Sequence, residues 1–77
     1  MRIHISHTAQ LELPAYPDQT DIDVPEGITV AGFLEMAGVR KEHRKFILPM
    51  INNTKVNSRS VLQEGDSLFL LIPVGGG

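Results

Sequence analysis

The chain has no cysteine among its 77 residues, which rules out disulfide bridges, cysteine-ligated zinc and any thiol nucleophile. Tryptophan is absent too, and the aromatics amount to one tyrosine and three phenylalanines, so the core has to be largely aliphatic. No apolar run approaches the roughly 18 residues of a membrane span. The Met1 end opens on a strand-like alternation rather than a signal peptide. Neither a membrane nor export is expected, and a cytoplasmic location fits a chain without cysteine. Positive charge is scarce in the first half. Residues 1–38 carry one arginine against six acids, a balance of −5, while residues 39–77 carry six Lys/Arg against three acids, +3, leaving −2 overall. A mildly acidic domain lacks the clustered cations that neutralise phosphates, so no nucleic-acid partner is expected. The basic run Arg40-Lys41-Glu42-His43-Arg44-Lys45 reads first as a solvated connector and second as a partner-docking element.

What is present suits a single small domain. A hydrophobic fraction of 42% with 21% charged residues is ordinary for a folded globular chain and far from a disordered one. Arg2-Ile3-His4-Ile5-Ser6 and Thr20-Asp21-Ile22-Asp23-Val24 alternate polar and apolar, the period of half-buried strands. Pro14, Pro17 and Asp18 break regular structure between them, and residues 7–19 read as a long exposed connection in which Leu11-Glu12-Leu13 could pair briefly. Thr29 is a fitting N-cap for a helix that places Val30, Phe33, Leu34 and Ala37 on one face and stops at Gly38, with Val39 available for the apolar contact of such a cap. Gly32 inside that helix implies either close packing or local weakness.

Phe46 to Ile51 reads as a strand, Asn52-Asn53 as a turn and Thr54-Lys55-Val56 as the returning arm. Pro49 lacks a donor, which predicts a bulge or one unpaired side. Ser60 to Glu64 reads as a short irregular or helical crossing and Gly65-Asp66 as a turn. Ser67 to Ile72 is the last strand, apolar on both faces. If Leu68, Leu70 and Ile72 face a single helix, then Phe69 and Leu71 project from the other side. There they form a docking patch, unless the 7–19 connection folds over them.

Side-chain chemistry is sparse. His4 and His7 stand three apart on a strand, hence on opposite faces, and do not make a metal pair. Asp21 and Asp23 share an outward face, read as a solvated edge before a cation site or an acid/base pair. No nucleophile triad and no phosphate-cradling glycine motif occurs. No catalytic side chain and no metal site is expected. The chemistry that remains is at the end of the chain. Gly75-Gly76-Gly77 has no Cβ to hinder threading through a narrow active-site channel, and it presents the Gly77 carboxylate unobstructed. An incidental, frayed end is the alternative.

The stretch Val61-Leu62-Gln63-Glu64-Gly65-Asp66-Ser67-Leu68, followed by Pro73-Val74-Gly75-Gly76-Gly77, resembles the end of the MoaD/ThiS family of ubiquitin-like sulfur carriers. The family pattern is a leucine, an acidic-Gly-Asp turn, an apolar strand, a Pro-Val pair, one variable residue and Gly-Gly, with Gly75 at the variable position. Thr29-Val30 and Ile51-Asn52 resemble the family's helix start and strand end. Asn53 in place of a common glycine, Gly32 in place of a frequent acid and the long 7–19 connection depart from it. The Pro73-Val74 pair looks more like the molybdopterin synthase small subunit than the thiamine-pathway carrier.

The resemblance implies an α+β, ubiquitin-like β-grasp fold over residues 1–73, a mixed sheet of about four to five strands on one short helix, with residues 74–77 a flexible tail. It implies a carrier rather than an enzyme. An E1-like adenylyltransferase of the MoeB/ThiF type, holding the ATP, would adenylate Gly77, and a sulfur nucleophile would convert it to a thiocarboxylate. An acceptor such as the molybdopterin synthase large subunit would take the sulfur, in synthesis of the molybdenum or tungsten cofactor. The chain itself would bind no cofactor. Phe69, Leu71, Pro73 and Val74 would dock the partners while Gly75 and Gly76 enter their active sites. Sulfur delivery to a thiazole or another metabolite, protein modification through lysines, and a noncatalytic interaction module are the alternatives.

Overall fold

In the computed structural model, residues 1–8, 11, 13 and 15–72 are described. The expectations placed on Pro73, Val74, Gly75, Gly76 and Gly77 fall outside them, as does any pairing through Glu12. Alternation makes β1 (Arg2–His7) a strand with Ile3 and Ile5 buried and Arg2 exposed. The same pattern in β2 (Thr20–Asp23) leaves Asp21 and Asp23 exposed. Further strands are β3 (Leu48–Ile51), β4 (Thr54–Lys55) and β5 (Ser67–Leu71), with helices α1 (Val30–Met36) and α2 (Lys41–Arg44) between β2 and β3. The five strands lie in the order β2-β1-β5-β3-β4. β1 and β5 run parallel at the centre, and the other neighbours are antiparallel. This is the mixed sheet of a β-grasp fold.

α1 starts where Thr29 accepts a 3.0 Å hydrogen bond on Oγ1 from the Gly32 amide, satisfying one of the first-turn donors that lack an intrahelical partner. It ends as its sequence predicts. The Gly38 amide donates to the Glu35 carbonyl and the Val39 amide to the Leu34 carbonyl, with Gly38 at φ +84°; this pair of bonds around a left-handed residue is the Schellman cap. Gly32 is explained by packing, because a Cβ there would lie 3.0 Å from Ile28 Cγ1.

The core lies between α1 and the inner sheet face. Ile3, Ile5, Val30, Phe33, Leu62, Leu68 and Leu70 are fully buried in it, each side chain worth roughly 1.5–3 kcal/mol of transfer free energy. The 7–19 connection departs from the exposed loop read in the sequence. Leu11 and Leu13 are core residues, and Tyr16 meets Phe33 edge-on at 5.4 Å. A seven-residue helix is too short to cover one sheet face, so this segment completes the cover on the same side.

β3 also starts later than read. The Phe46 and Ile47 amides bond back to the carbonyls of His43 and Arg44, carrying the helical turn of α2 forward and leaving Phe46 outside the sheet. Pro49 makes no bulge, since β3 and β5 pair through four successive residues. The Pro49 carbonyl accepts from the Val56 amide. Its missing donor therefore lies on the β4 side, and the ladder to β5 is untouched. Asn52 and Asn53 turn the β3–β4 hairpin with φ of +52° and +68°, the left-handed pair of a type I′ turn.

Candidate docking face and tail exit

The Glu64-Gly65-Asp66 turn sets where β5 begins. Gly65 sits at φ +84° and donates to the Arg2 carbonyl at 2.8 Å, while Glu64 accepts from the Arg2 amide at 3.0 Å. Asp66 accepts from the Gln63 amide at 2.9 Å and from Asn52 Nδ2 at 3.0 Å. Asn52 Oδ1 in turn accepts from the Ser67 amide at 3.0 Å. The most specific stretch of the sequence is thus a structural knot holding the beginnings of β1 and β5 and the end of β3 together. At the other end of β5, Thr8 holds the strand, with its amide on the Leu70 carbonyl at 3.2 Å and its hydroxyl accepting from the Ile72 amide at 3.3 Å. The chain therefore leaves the sheet at a defined point, one residue before Pro73.

The outward face of the central strands is apolar. Leu68 and Leu70 are buried against α1, and Phe69 and Leu71 alternate to the other side, half-buried. Leu11, Leu13 and Tyr16 of the 7–19 connection pack with the core on the helix side, away from this face. Register joins two more side chains to it. Met50 lies opposite Phe69 and Leu48 opposite Leu71, with Ser6 beside Phe69 on β1 and Lys55 beside Met50 on β4. Phe69 and Leu71 are thus two of four neighbouring apolar residues reaching toward the tail exit. Leu48 and Met50 were not legible as partners, because their strand's register depends on pairing with β5.

A family model described as the ThiS family matches residues 9–77. The chain belongs to the ThiS family. These are ubiquitin-like sulfur carriers, small carrier proteins of the kind that the C-terminal motif resembles. Solved structures share the fold. SAMP1 from Haloferax volcanii superposes with a TM-score of 0.72 at 21% identity, covering 100% of both chains. A putative molybdopterin converting factor subunit 1 from Pyrococcus furiosus gives 0.71 at 19% identity, over 95% of this chain and 98% of its own. Subunits 1 and 2 of the Helicobacter pylori molybdopterin-converting factor form a protein–protein complex, in which the matching chain gives 0.62 at 17% identity over 100% of both chains. No curated protein matches the sequence.

In this ThiS-family chain two cross-strand pairs of titratable residues lie on the surface, Arg2 with Asp23 and His4 with Asp21. His4 and His7 occupy opposite faces. His7 is bounded by the Thr8 and Tyr16 carbonyls at 3.2 and 3.0 Å. Asp23 faces Arg2 at 3.3 Å and Asp21 faces His4 at 2.8 Å, so the two carboxylates are cross-strand partners of Arg2 and His4 rather than a free pair. Among the described residues, no cluster of metal-capable side chains occurs and no helix is long and apolar enough to cross a membrane.

His4 Nδ1 lies 2.8 Å from Asp21 Oδ1 and Nε2 3.4 Å from Gln19 Oε1. Both partners are acceptors and only the imidazolium donates from both nitrogens, so Asp21 first and Gln19 second raise the His4 pKa above its ordinary 6.5. Because the folded-state value is the higher one, the stabilisation is fully present below about pH 6.5 and fades as pH rises through the folded-state pKa. With the two side chains 37% and 57% exposed, the effect on stability is small. An NMR titration of the His4 ring is expected to give a midpoint above 6.5 that falls in Asp21→Asn. A native midpoint at or below 6.5 contradicts the pairing.

Proposed function

We propose that this protein carries sulfur as a thiocarboxylate on Gly77, for transfer to a molybdopterin-type cofactor precursor. The observation that carries the reading is the family match, which runs through the glycine tail to Gly77 itself. The β-grasp body and the apolar outer face that borders the tail exit support it.

An α-carboxyl group has a reference pKa of about 3.3–3.7 and is ionised at neutral pH. A partner of the E1-like adenylyltransferase type holds ATP. A Gly77 oxygen attacks the α-phosphorus, pyrophosphate leaves, and an acyl-adenylate forms. A carboxylate is a poor acyl donor, and the mixed anhydride supplies the leaving group it lacks. Persulfide sulfur on a partner then attacks the acyl carbon and AMP departs. A second partner thiol cleaves the S–S bond, leaving a Gly77 thiocarboxylate and a partner disulfide. In the acceptor enzyme that sulfur attacks an electrophilic carbon of the cofactor precursor, and hydrolysis of the acyl–sulfur bond restores the carboxylate.

In this scheme the body, residues 1–73, is a handle and residues 74–77 are the working end. Phe69, Leu71, Pro73 and Val74 bind the partners, and Gly75 and Gly76 cross into their active sites, where a side chain would obstruct passage. ATP site, sulfur donor and oxyanion stabilisation belong to the partners, so the chain acts as a co-substrate, without a cofactor of its own, in the cytoplasm. The acceptor resembles a molybdopterin synthase large subunit. The pairing of subunits 1 and 2 in the Helicobacter pylori protein supports that choice.

Intact-mass analysis of the protein isolated from its native cells tests the reading. The expected product has one terminal oxygen of Gly77 replaced by sulfur. Lysine-linked adducts in its place establish a modifier, and a chain that extends past Gly77 without being trimmed ends the proposal.

A further inference from the structure

The most exposed large apolar side chain of the described residues is Phe46, with 58% of its surface accessible, and it lies on the helix side of the molecule, away from the Phe69 face. It forms one wall of a surface pocket of about 530 Å³, a volume in the range of pockets that bind ligands or anchoring side chains. Leu11, Val39, Ile47 and Ile72 line the apolar floor, and Arg40 and His43 stand on the rim. Two features make it unlike an ordinary crevice. The first is its position, because Ile72, the last described residue before the tail, lines it. The second is charge. Residues 40–45 hold four Lys/Arg and one acid, and Lys45 Nζ lies 5.4 Å from the centre of the Phe46 ring. Arg44 is turned inward, its Nε on the Val39 carbonyl at 3.1 Å, whereas Arg40 is exposed and makes no side-chain capping bond to α2.

We infer that this pocket docks a partner segment in which a large apolar side chain is flanked by carboxylates. The apolar floor takes the anchor, and Arg40, Lys41 and Lys45 meet the acids. A second copy of the chain is read out by the dilution arm of the test. A nucleic acid is a poor occupant, since phosphates do not fill an apolar floor. The inference deepens the carrier reading, on which it rests for the identity of the partner as the protein that takes the tail. It adds a second contact on the opposite side of the tail exit from Phe69 and Leu71, so that the partner grips the exit from both sides.

The test is an NMR titration of the isotope-labelled, unloaded full chain with two synthetic peptides, each holding Leu-Phe between either glutamates or lysines. The glutamate peptide is expected to shift the amides of Val39, Arg40, His43, Phe46 and Ile72 and to leave Phe69 and Leu71 unmoved; the lysine peptide should shift none of them. Arg40→Glu, a change at an exposed side chain, is expected to leave the melting curve intact and to weaken the glutamate peptide about tenfold, with the effect shrinking at high salt. Equal response to both peptides, shifts on the Phe69 face, or an unchanged affinity in Arg40→Glu overturns the inference. So does movement of the pocket amides on dilution, which assigns a second copy, or of the Val39, Arg40, His43 and Phe46 amides on removal of residues 74–77, which assigns the chain's own end. No step of this titration uses sulfur, so a flat result leaves the carrier reading standing, and a carrier without sulfur leaves the titration interpretable.

Discussion

Deletion of Gly77 is expected to abolish adenylation by the activating enzyme while leaving thermal stability unchanged. The reacting atom is the acyl carbon of the last residue, and shortening the chain by one residue withdraws it by about 3.3–3.6 Å along an extended tail. Misplacement on this scale removes the near-attack geometry that a positioned active site supplies, and even about 1 Å costs on the order of a hundredfold in rate. The described buried core lies within residues 3–70, and the last described anchoring bond is that of the Ile72 amide, so stability is expected to rest on residues before Gly77. The measurement is ATP–pyrophosphate exchange with the purified activating enzyme, alongside a thermal melt of each variant. Full exchange activity in the shortened chain refutes the mechanism, and a lowered melting temperature refutes the separation of handle from working end.

The second large effect concerns neighbouring residues on opposite faces of β5. Phe69→Asp is expected to weaken binding of the activating and acceptor partners by at least about thirtyfold, in keeping with the 2 kcal/mol or more that marks an aromatic interface anchor. Its cost in stability is expected to be no more than about 1–2 kcal/mol, because Phe69 is half-buried on a face open to water and an aspartate there stays hydrated. The same substitution at Leu68 reverses the balance. Leu68 is completely buried, and a carboxylate placed there without a partner unfolds a domain of this size. Calorimetric binding and melting curves for the two variants read the face assignment directly. Collapse of Phe69→Asp, or binding that survives it, contradicts the docking face.

The two halves of the molecule differ in how much the linear sequence disclosed. β1, β2, α1 and β5 were legible because each carries its own signal: a period of two in β1 and β2, Thr29 and Gly38 at the ends of a helical face in α1, and a short apolar run after the Gly65-Asp66 turn in β5. The Asn52-Asn53 turn was legible from the tolerance of asparagine for positive φ. The boundary at Phe46 was not. An apolar run reads as a strand whether or not its first residues pair, and here the backbone bonds of Phe46 and Ile47 to His43 and Arg44 extend the preceding turn. The 7–19 connection was misjudged for a related reason. Its prolines and polar residues spoke for exposure, but α1 is too short to close the core, and Leu11 and Leu13 fill the remainder.

The sequence by itself determined the chemical inventory: no cysteine, and a run of glycines at 75–77 in an order that resembles a carrier's. These are properties of residue types and their order along the chain, independent of where they lie in space. The tertiary structure alone decided the surfaces. Leu48 and Met50 join Phe69 and Leu71 because β3 pairs with β5 in one register, and Leu11, Phe46 and Ile72 meet around one pocket although they are far apart in the chain. Such surfaces arise from long-range pairing, and no local period in the sequence encodes which residues will share them.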